Sequence, residues 1–400
     1  MVSLAPSSSP AGAPAAMDLW APPIGFHHFS DEATINFQCN RWAELIGPRA
    51  VDELGSACGR RASQAQWIDA LLDLAASARA QDRAVDAAFY ERGAEFLLGA
   101  ADPRRPALRQ GFVKTMREAY RVEPTMVPYG SGYLPAYEML PSTPGGSGSG
   151  EPVSTWVVFG GFDSYIEELL PLMAAVAERG RRVIAFDGPG QGGALEDEGL
   201  PLTPRWEMPV ATILDHFGPE EVTLVGISLG GELAVRAAAF EPRVRRAVAW
   251  NAMDDFLEAL LAHVPLPRAL ALKGPRRLVD ALARRSAAVD PLVEWGLRQG
   301  MRVTGTTSPS QFLRVAGRLH TRRASPRVRA DVLLLKGTEH HYVPHEQAER
   351  QALALSGARS ITTRVFTAVE QASQHCQVGN TPLAVRTILS WEDSLAASAP

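Results

Sequence analysis

The chain has 400 residues, 46% hydrophobic and 21% charged, enough to bury a sizeable core as one large α/β domain with an appendage or as two domains. Its 40 Lys and Arg against 44 Asp and Glu leave a formal net charge of −4 with both signs interspersed, which argues against nucleic acid or an anionic membrane as partner. Three cysteines (Cys39, Cys58, Cys376) are too few and too scattered for a disulfide framework or a zinc site, so a reduced, cytoplasmic setting is expected.

The opening "MVSLAPSSSPAGAPAA" lacks the basic start and apolar stretch of a signal peptide and predicts a disordered tail over 1–17. No apolar run approaches the roughly 18 residues of a transmembrane helix, so a soluble protein is expected. Residues 18–118 read as an N-terminal helical region. "QWIDALLDLAASARAQ" and "AVDAAFYERGAEFLLGAA" place apolar residues at i, i+3, i+4 and i+7, and "DPRRPALRQGFVKTMREAY" restarts a helix after an Asp-Pro break. "VEPTMVPYGSGYLPAYEML" then predicts two extended segments around a Gly turn, and "PSTPGGSGSGEP" a flexible loop.

After residue 153 short apolar strands alternate with helices: "TWVVFG", helix 165–178, "RVIAFDGPG", helix 204–217, "EVTLVGI", helix 230–240, "AVAWNAM". That alternation predicts parallel βαβ units and an α/β, doubly wound sheet. A helical, Arg/Leu/Ala-rich insertion at 254–325 splits this core into 119–253 and 326–400, and the alternation resumes with "ADVLLLKG", "TTRVFTAV" and a last helix from about 380. Both helical segments are too long to be connectors and are expected over the sheet's C-terminal edge, where ligands bind.

The strongest local signal is "VTLVGISLGGELAVRAAA", a strand, Gly226-Ile227-Ser228-Leu229-Gly230, then a helix. This is the nucleophile-elbow pattern: small residues flank a strained turn, and the helix beneath favours developing negative charge. One unit upstream, Gly160-Gly161-Phe162 ends a strand where a second oxyanion donor is expected. The N–H of Phe162 (or of Gly161) would act with that of Leu229. His375 in "QASQHCQVGN" follows the last strand, where the general base belongs in the order serine, acid, histidine. Cys376 beside it reads as a small buried hydrophobe rather than a second nucleophile.

Taken together, "NFQCNRW", "VPYGSGYLPAYEML", "FGGFDSYIEE", "FDGPGQGGAL", "WEMPV", "GISLGG", "RAAAFEPRV" and "HCQVGN" resemble one branch of the α/β-hydrolase superfamily. Its members carry an N-terminal helical region and a helical cap, and include 2,6-dihydroxypseudooxynicotine hydrolase and fungal hydrolases that shorten polyketide chains, enzymes that cleave carbon–carbon bonds next to ketones. The resemblance runs from about Asn36 to the final helix. It implies the α/β-hydrolase fold, Ser228 as nucleophile, His375 as base, an oxyanion hole at Phe162 and Leu229, and a homodimer as a family-level expectation. Gly161, Asp163, His340 and Tyr342 are the expected pocket residues. It does not carry over a substrate.

One departure bears on chemistry. Relatives typically read Glu-Asp-His-(Phe/Tyr)-Val-Pro where this chain has Glu339-His340-His341-Tyr342-Val343-Pro344, so the acid position is His340. The acid fixes the tautomer of the histidine and stabilises its protonated form; losing it can cost about four orders of magnitude in rate. Three readings stay open: Glu339 reaches in, Asp254 or Asp255 after "AVAWNAM" takes over, or no acid acts. The expected activity is serine-dependent hydrolysis of a C–C (ketone) or ester/acyl bond in a small, polyketide-like molecule. The alternatives are a lyase or cyclase that eliminates an acetate-type group in natural-product biosynthesis, with His375 as base, and a non-catalytic binding protein.

No cofactor or metal is expected. His341 and His345 are four apart, but Pro344 marks a helix start that leaves only His345 inside. His27-His28 either line the cap or sit on the surface, Glu167-Glu168 favour a helix's first turn, and Trp206-Glu207 read as a packed anchor with a satisfied carboxylate.

Overall fold

The computed structural model describes residues 16–99, 101–141, 152–262, 264, 266–339 and 342–397. Most of the expected N-terminal tail, nearly all of "PSTPGGSGSGEP", and His340 and His341 lie outside the described residues.

The chain starts with five helices, α1 Ala33–Ile46, α2 Pro48–Ala57, α3 Gln64–Ala80, α4 Ala84–Leu97 and α5 Arg105–Tyr120. Their starts follow from local chemistry. The Glu32 carboxylate caps the N–H groups of Thr34 and Ile35, Ser63 and Gln66 form a reciprocal capping box on α3, and Pro106 stands in the first turn of α5. In "NFQCNRW" the two asparagines act as staples. Asn36 Oδ1 accepts from the N–H of Phe29 and Ser30, and Asn40 exchanges hydrogen bonds with the backbone of His27, fixing the segment before α1 against it.

The Gly130 turn joins the two extended segments as an antiparallel pair, β1 Thr125–Tyr129 and β2 Gly132–Met139. The core continues with β3 Ser154–Phe159, α6 Leu170–Ala177, β4 Arg181–Phe186, α7 Gly192–Glu196, α8 Glu207–Phe217, β5 Val222–Ile227, α9 Leu229–Ala238 and β6 Val244–Trp250. The insertion holds α10 Phe256–Leu261, α11 Arg268–Lys273, α12 Arg276–Ala287, α13 Pro291–Val303 and α14 Pro309–Ala316; then come β7 Asp331–Gly337, α15 Glu346–Ala354, β8 Ser360–Phe366 and α16 Thr381–Ala397. The insertion's two stems meet where Asp255 bridges His320 and the Thr321 N–H donates to the Asp254 carbonyl.

The eight strands form one sheet in the order β1-β2-β4-β3-β5-β6-β7-β8, parallel from β4 onward. The chain moves from β3 to β4 on one side and returns to β5 on the other. This reversal opens a crevice at the carboxyl ends of β3 and β5, the place where open α/β sheets bind ligands. The register sets Phe159 opposite Gly226, so the loops that follow these two strands leave the sheet side by side.

Buried charge fastens the helical layer to this edge. Glu168, in a 3₁₀ turn after β3, accepts from Arg92 Nε at 2.8 Å and from Arg41, while Arg92 also reaches Glu95 at 2.5 Å and the Asp163 carbonyl at 2.7 Å. Arg92, Glu95 and Glu168 are each at most 2% exposed, so their charges are stable only when paired, and Arg41 on Glu168 and Arg105 on Glu95 complete the cluster. Arg92→Ala removes one of the two arginines that meet each of Glu168 and Glu95, leaving Arg41 and Arg105, and is expected to cost about 1.5–3 kcal/mol, read as a lower urea midpoint.

Candidate active site

Ser228 stands between β5 and α9 at φ 62°, ψ −124°, a strained conformation for a residue with a Cβ. The elbow closes because its flanks lack side chains. A Cβ on Gly226 would fall 1.9 Å from the Gly230 carbonyl oxygen, and one on Gly230 would fall 2.6 Å from that of Gly160. Ser228 is thereby pushed up at the sheet's edge, and its Oγ lies 2.9 Å from His375 Nε2. The two side chains are 147 residues apart in sequence.

The loop after β3 is gripped on every side. Gln191, from "FDGPGQGG", donates to the carbonyls of Gly160 at 2.6 Å and Gly161 at 3.1 Å. Gln299 of α13 donates to the Phe162 carbonyl at 2.6 Å, and Arg92 holds that of Asp163. The Gly161 N–H is spent on Ser164 Oγ at 3.2 Å, whereas the N–H of Phe162 has no acceptor among the described residues. Position 161 itself presses on the elbow, since a Cβ there would lie 2.9 Å from the Leu229 nitrogen. As the first residue of α9, Leu229 has no carbonyl inside its own helix to receive its N–H.

His375 is buried in a loop after β8 whose next two residues, Cys376 and Gln377, take positive φ values of 53° and 58°. Trp250 Nε1 donates to the Cys376 carbonyl, tying this loop to the end of β6. Two rings pack edge-on to the imidazole, Tyr342 at 5.0 Å and Phe37 of α1 at 5.8 Å. Burial pushes the Cys376 thiol up to about 12, which removes the thiolate that a second nucleophile would need.

The carboxylates considered as the acid are engaged elsewhere. Glu339 is exposed, and its Oε2 accepts from Ser373 Oγ at 2.8 Å and Gln374 Nε2 at 3.1 Å. Asp254 faces Arg350, with Oδ1 2.8 Å from Nη2 and Oδ2 3.2 Å from Nε. Asp255 caps α10 and pairs with Arg268 and Arg322. No hydrogen bond or ion pair joins any of the three to His375 among the described residues. Of the three readings of the acid, neither Glu339 nor Asp254 is bonded to the histidine in this arrangement of the described residues. Glu339 is taken up by Ser373 and Gln374 at the surface, and Asp254 by Arg350.

Ser228 and His375 open into a cavity of about 220 Å³. The cap contributes an apolar side with Phe256, Leu260, Trp295 and Phe312, and Phe162 packs on Phe256 at 5.2 Å. Helix α1 contributes the other side with Phe37, Gln38, Arg41, Glu44 and Leu45, a spacing that keeps all five on one helical face. Asp163 and Tyr342 line the same space; Asp163 is paired with Arg41 at 3.3 Å, and burial raises the Tyr342 phenol.

His27 bonds the Ile24 carbonyl and His28 pairs with Asp31 at the surface; neither lines the cavity. Glu168 caps the Tyr165 N–H as a first-turn acid should, but it is also the centre of the buried ion cluster. Trp206 is fully buried against Phe159 and Glu207 pairs with Arg236. Among the described residues no group of His, Cys, Asp and Glu is arranged to hold a metal, and no helix is long and apolar enough to cross a membrane. Gln191, Gln299, Arg92 and Glu44 carried no signal of a site role in sequence, because their partners lie on distant elements.

Residues 143–378 match a family model described as the alpha/beta hydrolase family. The hydrolase acrC of Aspergillus aculeatus is 30% identical over 291 residues, 64% of this chain and 67% of its own length. The 20-hydroxy-prefusarin hydrolase FUS2 of Gibberella moniliformis is 31% identical over 264 residues, and the hydrolase LUC6 of a Fusarium species 35% over 203. They cover 58% and 45% of this chain, and the match spans only 60% and 47% of their own lengths. Two solved structures share the fold: 2,6-dihydroxy-pseudo-oxynicotine hydrolase, with a TM-score of 0.62 at 20% identity over 88% of this chain and 94% of that one, and AbyA5, with 0.65 at 18% over 90% and 94%. The chain belongs to the alpha/beta hydrolase family, in the branch that carries an N-terminal helical region and a helical cap.

Proposed function

We propose that the chain is a serine-dependent hydrolase that cleaves a carbon–carbon bond beside a ketone, or an ester or acyl bond, in a small, largely apolar, polyketide-like molecule. The observation that carries this reading is Ser228 Oγ at 2.9 Å from His375 Nε2 at the floor of a cavity walled by cap side chains. His375 takes the serine proton as Oγ attacks the carbonyl carbon. The N–H groups of Phe162 and Leu229 receive the negative charge on the carbonyl oxygen, and His375 returns the proton to the leaving group. Water, activated by the same histidine, then releases the acyl group. The relatives named as hydrolases, one of them for 20-hydroxy-prefusarin, support a small natural-product substrate.

A second reading is a lyase in which His375 removes a proton α to a carbonyl and a carboxylate such as acetate departs. The placement of Glu339, Asp254 and Asp255 on other partners favours it, since proton abstraction needs only a base. Product masses separate the two, because hydrolysis adds water across the bond and elimination does not.

A fluorophosphonate probe should label the wild type and not Ser228→Ala, and Ser228→Ala or His375→Ala should lower kcat by about four orders of magnitude. Labelling of Ser228→Ala would sink the serine reading. On an aryl ester, Glu339→Gln and Asp254→Asn should each change kcat by less than about threefold, against roughly four orders for a true triad acid, while His340→Asp should raise it about tenfold or more. Gly161→Ala sets a methyl against the Leu229 nitrogen and should lower kcat/KM about 100-fold, the loss seen when an oxyanion donor fails.

A further inference from the structure

Glu44 lines the same cavity as Ser228 and is the one wall carboxylate that no cation neutralises among the described residues. Asp163 and Glu168 also face the cavity, but both are paired with Arg41, and Glu168 with Arg92 as well. Glu44 instead receives neutral donors from the loop that carries the histidine. Oε1 accepts from the Thr381 N–H at 2.5 Å, and Oε2 from Thr381 Oγ1 at 2.7 Å and the Gly379 N–H at 3.1 Å. A carboxylate offers about four lone-pair sites, so one remains for a further donor. Burial raises this carboxyl to about 7 even though the three donors pull it down. Its role as a cap on the first turn of α16 explains the three bonds, but not an unneutralised acid set in an apolar cavity.

Its distance from the chemistry can be read from helix geometry. Phe37 and Glu44 share the cavity-facing side of α1, and the Phe37 ring lies 5.8 Å from the His375 ring. Seven residues of α-helix rise about 10 Å. Glu44 therefore sits about two turns along the wall from Phe37, the α1 residue that packs on the histidine.

We propose that Glu44 is a specificity-determining residue that accepts a hydrogen bond from a donor on the substrate, a hydroxyl or a protonated nitrogen, carried about 10 Å from the carbonyl that Ser228 attacks. This rests on the hydrolase reading for the position of the carbonyl. It gives the substrate a shape: an apolar body against the cap, a reactive carbonyl at the elbow, and a polar donor at the far end of α1.

The test uses three alkyl trifluoromethyl ketones of equal length that end in methyl, hydroxyl or ammonium about 10 Å from the carbonyl. The wild type should bind the hydroxyl or the ammonium member at least about tenfold more tightly than the methyl member, and Glu44→Gln should reduce that ratio to below about twofold for the ammonium. Comparison of the two polar members tells which donor is preferred. A purely structural Glu44 would weaken all three together and keep the ratio, which would overturn the proposal; so would the absence of any preference in the wild type. Should Glu44→Gln fail to fold, a second series on the wild type decides. The preference must vanish when the donor is moved to about half that distance, and a preference indifferent to length overturns the proposal. Calorimetry on Ser228→Ala reads the same ratio without the covalent step. A retained ratio with no inhibition of the wild type would count against the serine reading and leave the role of Glu44 standing.

Discussion

The carboxylate of Glu168 is the point from which the site is built. It receives Arg41 from α1 and Arg92 from α4, and its Oε1 also holds the Tyr165 N–H at 3.1 Å. A buried carboxylate is costly unless it is paired and hydrogen-bonded, and here the pairs come from a different layer of the molecule. The N-terminal helices therefore cannot leave the sheet without uncovering charge. Arg92 passes the constraint on, because its remaining amino group holds the Asp163 carbonyl and its guanidinium lies 4.1 Å over the Tyr165 ring. The ion cluster and the loop after β3 are thus one mechanical unit, and the direction of the Phe162 N–H is set partly by α4.

The strain at the elbow and in the histidine loop needs that support. Ser228, Cys376 and Gln377 all hold positive φ without being glycine, and such conformations persist only where the surroundings over-determine them. At Ser228 this comes from the approach of Gly160, Gly226 and Gly230 and from the Ser228 N–H bond to the Trp250 carbonyl. In the histidine loop it comes from Trp250 Nε1 on one side and Glu44 on the other. Trp250 thus serves both halves of the Ser–His pair. The distance between Oγ and Nε2 is fixed by contacts that involve neither atom.

Much of this was legible in the residues. Glycine spacing revealed the elbow because the close approach of backbones tolerates nothing else, and strand-helix alternation gave the sheet its class. Chain order singled out His375. What stayed hidden has one physical cause: it depends on which distant elements meet. Glu168 reads locally as an ordinary first-turn acid, and only the packing of α1 and α4 shows two arginines upon it. Gln191 and Gln299 are likewise unremarkable in sequence, yet together they bond three successive carbonyls, those of Gly160, Gly161 and Phe162. The short helix α7 escaped because five residues are too few for a periodicity to declare itself.

The acid is where sequence and structure have to be argued together. The resemblance implies an aspartate at the position of His340, and a displaced carboxylate would have to be free to turn toward the imidazole. Asp254 and Asp255 are not, since Asp254 is paired with Arg350 of α15 and Asp255 with Arg268 and Arg322, at the stem where the cap leaves the sheet. Recruiting either one for catalysis would loosen the hinge of the element that shapes the cavity. Glu339 costs less to move, being exposed, but exposure is also why it makes a poor partner. Its charge is screened by water, and a carboxylate that fixes an imidazole must do so in a water-excluded site. On the proposed reading, Ser228 as nucleophile, His375 as base and two candidate N–H donors stand together while the nearby negative charge is employed in structure. Such a site suits substrates whose carbonyl is already activated, or whose α-proton is already acidic, more than the unactivated amides that a full triad can open.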